Sequence, residues 1–190
     1  MSNTQSSENL RALVESALLV AIGFVLSFIT IIRMPQGGSV TPLSMLPLLI
    51  IGLRHGLKWG LCGGLVYAGL QMLQGLWAPP SGTAAAWISM LMLDYVVAFT
   101  VLGLSGLFRD RRYGALIAVP VCLGLRFLSH FISGVVIWGN YLDADSWIFS
   151  LVYNGAYMGP EIIFTFIGSA ILLKAAPVIF TPGLRARAAK

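Results

Sequence analysis

Apolar residues run along this chain in six blocks, at approximately 12–32, 43–53, 59–76, 84–108, 113–137 and 148–176. Short polar or Pro/Gly-rich breaks separate them. A bilayer crossing takes roughly 20 helical residues, so the blocks predict an all-α integral membrane protein with six transmembrane helices. The second block is too short to cross without tilt or help from its neighbours. The whole chain, 1–190, reads as a single transmembrane domain. Residues 1–11 form a cytoplasmic N-terminal segment and 177–190 a basic cytoplasmic tail.

Composition removes the soluble alternative. Apolar residues make up 57% of the chain and charged residues only 10%, with a mean hydropathy of +0.85, whereas a soluble domain carries about 25% charged residues. The net charge of +5 would suit a nucleic-acid partner only if it formed a basic patch on a soluble face. Instead the bases fall at block ends, so the expected surroundings are a lipid bilayer and no nucleic acid. With the N-terminus inside, Arg11, Arg54, Lys58, Arg109, Arg111, Arg112, Arg185, Arg187 and Lys190 all lie at the inner face. Lys174 lies near it, and only Arg33 lies outside. This is a positive-inside pattern, and it places both termini in the cytoplasm. Asp143 and Asp145 fall in the outer loop before the sixth block. Glu8, Arg11 and Glu15 lead into a first block longer than a signal h-region, which predicts a retained span.

Small residues form ridges that let helix backbones approach. Gly56, Gly60, Gly64 and Ala68 recur every fourth position into the third block, and Ala17 and Ala21 repeat the spacing in the first. The glycine ridge reads as packing within the bundle, while the alanine pair suits lipid or a partner equally. Cys62 and Cys122 stand alone in apolar segments, without zinc spacing or a disulfide framework, and read as small packing residues. No metal or cofactor is expected.

Once the end-placed charges are set aside, Asp94, Arg126 and Glu161 remain at membrane depth, with His130 one turn beyond Arg126. Intramembrane ionisable groups are functional by default. Ser133 and Trp138 extend the His130 side outward, and Asn154, Tyr157 and Glu161 share one face of the last helix. Trp87 lies two turns outward from Asp94. Three helices can therefore converge on one pocket opening outward. The alternative is structural: an Arg126–Glu161 ion pair, with Asp94 bonded to a nearby hydroxyl. The three charges sum to minus one with His130 neutral, and Tyr95, Tyr157, Trp87 and Trp138 are close in sequence. Such a pocket favours a flat cation through ion pairing and cation–π contact.

At these residues the chain resembles the thiamine-specific substrate-binding subunits (S components) of energy-coupling factor (ECF) transporters. MPQGGSVTPLSMLPLLIIGLRHGLKWGLCGG from Met34 to Gly64 is similar to that family's first outer loop, short second helix and inner turn. LMLDYVVAFTVLGLSG from Leu91, RFLSHFISGVVIWG from Arg126 and YNGAYMGPEI from Tyr153 follow in order. The resemblance implies a six-helix protein of the prokaryotic plasma membrane that binds thiamine in an outward-facing pocket capped by the first outer loop. It implies Asp94 as the acidic partner, Tyr95 as its aromatic neighbour and His130 with Trp138 as a stacking pair. Arg126 takes a basic position of the family, and Asn154 a hydrogen bond to the aminopyrimidine. Two stretches depart from the family: AAAWISM at 84–90 is less polar, and Phe149 stands where a tyrosine is expected. A subunit for another flat vitamin or precursor, such as hydroxymethylpyrimidine, shares this architecture with a different lining.

An enzyme needs a nucleophile with a base, or a metal cluster, and neither HExxH nor GxSxG occurs. The phosphate-cradling GxxxxGK[ST] loop is also missing, so ATP hydrolysis belongs to separate subunits. The resemblance supplies them as a transmembrane coupling protein and two ATPases, with Ala17 and Ala21 matching the AxxxA surface that docks the module.

Overall fold

Phe28 to Ile31 continue the first apolar block without continuing its helix. The Ser27 hydroxyl donates to the Phe24 carbonyl at 2.7 Å, and the Ile29–Ile32 stretch is rich in β-branched residues that favour extended backbone. Helix α1 (Asn3–Ser27) therefore stops short of the block's end. The chain then forms an antiparallel hairpin, β1 (Ile32–Arg33) and β2 (Ser39–Val40), with Ile32 opposite Val40 and Arg33 opposite Ser39. Then come α2 (Leu46–His55), α3 (Leu57–Gln74), α4 (Ala84–Phe108), α5 (Gly114–Trp138) and α6 (Ser146–Ala175). The computed structural model describes residues 3–139 and 145–180, and within them six helices follow the six apolar blocks. Asp143, Arg185, Arg187 and Lys190 lie outside the described residues.

The short second block is resolved by burial. Every residue of α2 from Leu46 to Leu53 is buried, and a helix apolar on all sides belongs inside a bundle. It needs no lipid-facing length. Gly56, at φ +90°, reverses the chain between α2 and α3. The predicted glycine ridge then packs α3 on α4, since a Cβ on Gly60 would lie 2.6 Å from the Gly103 carbonyl oxygen and one on Gly64 2.5 Å from that of Phe99. Cys122 is buried here as expected, but Cys62 is exposed. It stands on the outward side of α3 and does not pack within the bundle.

One end of the bundle is basic. Arg54 bonds the Glu15 carboxylate through Nε at 2.5 Å, and its Nη1 donates to the Val178 carbonyl at 2.8 Å, tying α2 to α1 and to the turn after α6. Arg109 lies against the α2–α3 turn at Gly56. The hairpin and the α3–α4 connection occupy the opposite end, which the positive-inside rule assigns to the outer face. On α1 the inward stripe is Ala12, Ser16, Val20, Gly23 and Ser27, whereas Ala17 and Ala21 are exposed beside Leu18, Ile22 and Val25.

Candidate functional site

A cavity of about 490 Å³ opens at the hairpin end, within the 300–1,000 Å³ typical of small-molecule sites. Asp94, Tyr95, Arg126, His130, Trp138, Asn154 and Tyr157 all line it. Glu161 does not, and neither does Trp87. Met90, Phe99, Trp77, Tyr153 and the hairpin complete the wall.

Two local distortions aim the key side chains. Leu91–Val97 of α4, which carries Asp94 and Tyr95, is π-helical, and so is Gly134–Trp138 of α5. The wider turn advances the helix face by one residue and is frequent at functional sites. Asp94 accepts a hydrogen bond from the Ser133 hydroxyl at 2.7 Å and lies 3.0 Å from Nδ1 of His130. Its carboxylate is thus fixed from α5 while one side of it faces the cavity. The Tyr95 hydroxyl donates to the Gly75 carbonyl at 3.0 Å, holding the α3–α4 connection.

Arg126 and Glu161 form a buried ion pair at 2.7 Å, as the structural alternative supposed. The Arg126 guanidinium also stands 4.8 Å from the Phe99 ring centroid, a cation–π contact. The second Glu161 oxygen accepts from Thr41 N at 3.1 Å and from Thr41 Oγ1 at 2.6 Å. Glu161 therefore lies behind the wall and anchors the base of the hairpin. Removing it leaves a buried guanidinium unpaired, which costs about 3 kcal/mol or more. Glu161→Ala should accordingly lower the unfolding midpoint sharply in a detergent thermal melt, and a melt like that of the unaltered protein would show the pair to be dispensable.

Asn154 is also engaged internally. Its Nδ2 donates to the Ser150 carbonyl at 3.0 Å and lies 3.3 Å from that of His130, while Oδ1 accepts from the Tyr157 hydroxyl at 2.8 Å. A Cβ on Gly134 would run into the Ser150 side chain, so this network depends on close approach of α5 and α6. With Arg126 paired to Glu161, Asp94 is the cavity-lining carboxylate among the described residues, and its neighbours are the Ser133 hydroxyl and the His130 ring rather than an arginine or lysine. Arg33 also lines the cavity, but on the exposed hairpin, where solvent screens it.

Trp77, Phe99 and Tyr153 line the cavity without having been expected there, whereas Gln36 to Gly38 fall in the first outer loop that the resemblance implied as the cap. Trp77 falls in a break between blocks, where periodicity is silent. Tyr153 carried a usable signal, because it is i−4 from Tyr157 and shares its helix face.

Comparison with known proteins agrees with this geometry in fold and family. Residues 13–181 match the family described as thiamine transporter protein. The chain is 35% identical over 188 residues to the thiamine transporter ThiT of Bacillus subtilis (strain 168), covering 90% of this chain and 94% of that one. It is 26% identical to the thiamine transporter ThiT of Lacticaseibacillus paracasei, over 93% of each. A solved structure of ThiT from Listeria monocytogenes superposes with a TM-score of 0.76 at 27% identity, covering 92% of this chain and all of the other.

Proposed function

The chain belongs to the thiamine transporter protein family, and from that premise we propose that it takes up thiamine by binding it in the outward-facing cavity. The observation that carries the reading is the Asp94 carboxylate, fixed at membrane depth in a wall that also presents Tyr95, Phe99, Trp138 and Tyr157. Thiamine contains a flat, permanently cationic thiazolium ring. Ion pairing with Asp94 and ring contact with Trp138 and His130 stabilise that cation together. Hydroxymethylpyrimidine lacks the charge and would leave Asp94 uncompensated. Tyr95, Arg126, Asn154 and Tyr157 shape the rest of the site, and Glu161 supports it from behind.

In this reading the chain is the multi-pass, substrate-binding subunit of an ECF transporter in a bacterial plasma membrane. Energy comes from outside it, since no nucleotide-phosphate loop occurs in the sequence. A transmembrane coupling protein and two ATPase subunits supply the energy. The exposed Ala17 and Ala21 on α1 form the surface on which the coupling protein docks, where small side chains allow helix backbones to meet.

Tryptophan fluorescence tests the binding step. The chain has five tryptophans, and Trp77 and Trp138 line the cavity. Thiamine should quench the emission, Trp138→Phe should lose part of the quench and Trp77→Phe with Trp138→Phe nearly all of it. A full quench in the double variant would place the ligand elsewhere.

A further inference from the structure

Three buried nitrogens in the cavity wall have no hydrogen-bond partner among the described residues: Arg126 Nε, His130 Nε2 and Gln71 Nε2. The first two belong to groups held elsewhere. Arg126 pairs with Glu161 at 2.7 Å, and the His130 ring is fixed through Nδ1, which lies 3.0 Å from Asp94. Gln71 has no such tie. The Tyr67 hydroxyl lies near its amide but donates to the Gly23 carbonyl at 3.3 Å, and the Gln71 nitrogen stays unsatisfied. Gln74, further along α3, is exposed, and its Oε1 accepts from the Ser27 hydroxyl at 3.4 Å. The amide that the resemblance assigned to a ligand ring, that of Asn154, is spent inside the bundle. Its Nδ2 donates to the Ser150 carbonyl at 3.0 Å and lies 3.1 Å from the Ser150 hydroxyl, while Oδ1 accepts from Tyr157 at 2.8 Å.

On the reading that thiamine occupies this cavity, we propose that Gln71 recognises its aminopyrimidine ring, the amide oxygen accepting from the exocyclic amino group and the amide nitrogen donating to the adjacent ring nitrogen. The terminal torsion of a glutamine is soft, so an amide held by no bond can turn to present both atoms to the cavity. That pairing matches donor to acceptor on both sides, as when a glutamine binds the amino group and ring nitrogen of adenine. It also divides the labour of the site. Asp94, on α4, takes the charged thiazolium, and Gln71, on α3, takes the neutral ring. A ligand that fills the cavity without serving this amide leaves it buried and unpaired, which weakens binding.

Gln71→Met keeps an unbranched side chain and removes the amide. Thiamine should bind this variant at least about fivefold more weakly, measured by fluorescence titration in detergent. The second probe is a thiazolium salt that keeps the methyl and hydroxyethyl groups of thiamine but carries a benzyl group on nitrogen in place of the aminopyrimidine arm. The unaltered protein should bind it at least about tenfold more weakly than thiamine. Gln71→Met should bind it no more weakly than the unaltered protein does, because the amide it would strand is gone. Gln71→Leu supplies the same two readings should the methionine variant not fold. Unchanged thiamine affinity in the variant would overturn the assignment. So would an equal loss for thiamine and the benzyl compound, which would make Gln71 a support of the wall or a contact of the hydroxyethyl arm. Failure of the unaltered protein to bind thiamine would instead defeat the proposed function, and the role of Gln71 with it.

Discussion

Ala17→Trp combined with Ala21→Trp is expected to abolish thiamine uptake in cells that carry the ATPase module, while thiamine binding in detergent stays within about twofold of the unaltered protein. The expectation follows from the side of α1 on which the two alanines lie. Ala12, Ser16, Val20, Gly23 and Ser27 face the bundle, so they and not the alanines hold α1 against α2 and α3. Two indoles on the outward face displace lipid and leave the packed stripe alone. A coupling helix that must approach α1 closely would be kept away by both of them. The cavity-lining groups Asp94, His130, Trp138 and Asn154 belong to α4, α5 and α6, so binding should survive. Membrane-fraction yield and a thiamine titration check folding, and radiolabelled uptake checks transport. Uptake at the unaltered rate would move the docking surface off α1. Joint loss of binding and uptake would mean that α1 packs through the alanines instead.

Asp94→Asn should weaken thiamine binding by at least about tenfold, or 1.4 kcal/mol. The substitution is close to isosteric and retains an oxygen that can accept from Ser133, so the π-helical turn of α4 should persist. What it removes is the charge. Glu161 cannot replace it, because that carboxylate lies behind the wall and already pairs with Arg126 at 2.7 Å. The wall then offers the thiazolium only ring contacts, each about 0.5–2 kcal/mol. A neutral ligand should be insensitive to the same change, which separates loss of charge from loss of structure. Calorimetry with thiamine on both proteins checks the effect, and equal affinities would remove Asp94 from the site.

The sequence made the helices legible because lipid imposes one strong rule, that apolar blocks of helical length span and charges sit at their ends. The blocks at 84–108 and 113–137 agree closely with α4 and α5. Legibility failed where tertiary contact decided the matter. Nothing local says that Phe28 leaves the helix for a hairpin, and the 43–53 block reads as an incomplete span only until its neighbours are seen to enclose it. At the site, the polar face of α6 was readable from spacing, but the direction of each group was not. Glu161 and Asn154 share that face, yet Glu161 turns back to Thr41 and Arg126 behind the wall while Asn154 lines the cavity. Their partners come from the hairpin and α5, residues distant in sequence. Trp77 and Tyr153 enter the site through the same long-range packing.

Recognition of thiamine as a cation at Asp94 is tested most directly by one titration, that of purified protein in detergent with thiamine, followed by isothermal calorimetry. Saturable binding of one thiamine per chain is expected, with hydroxymethylpyrimidine weaker by at least about tenfold because it brings no positive charge to Asp94. No heat of binding with thiamine, or equal affinity for the uncharged pyrimidine, would contradict that recognition.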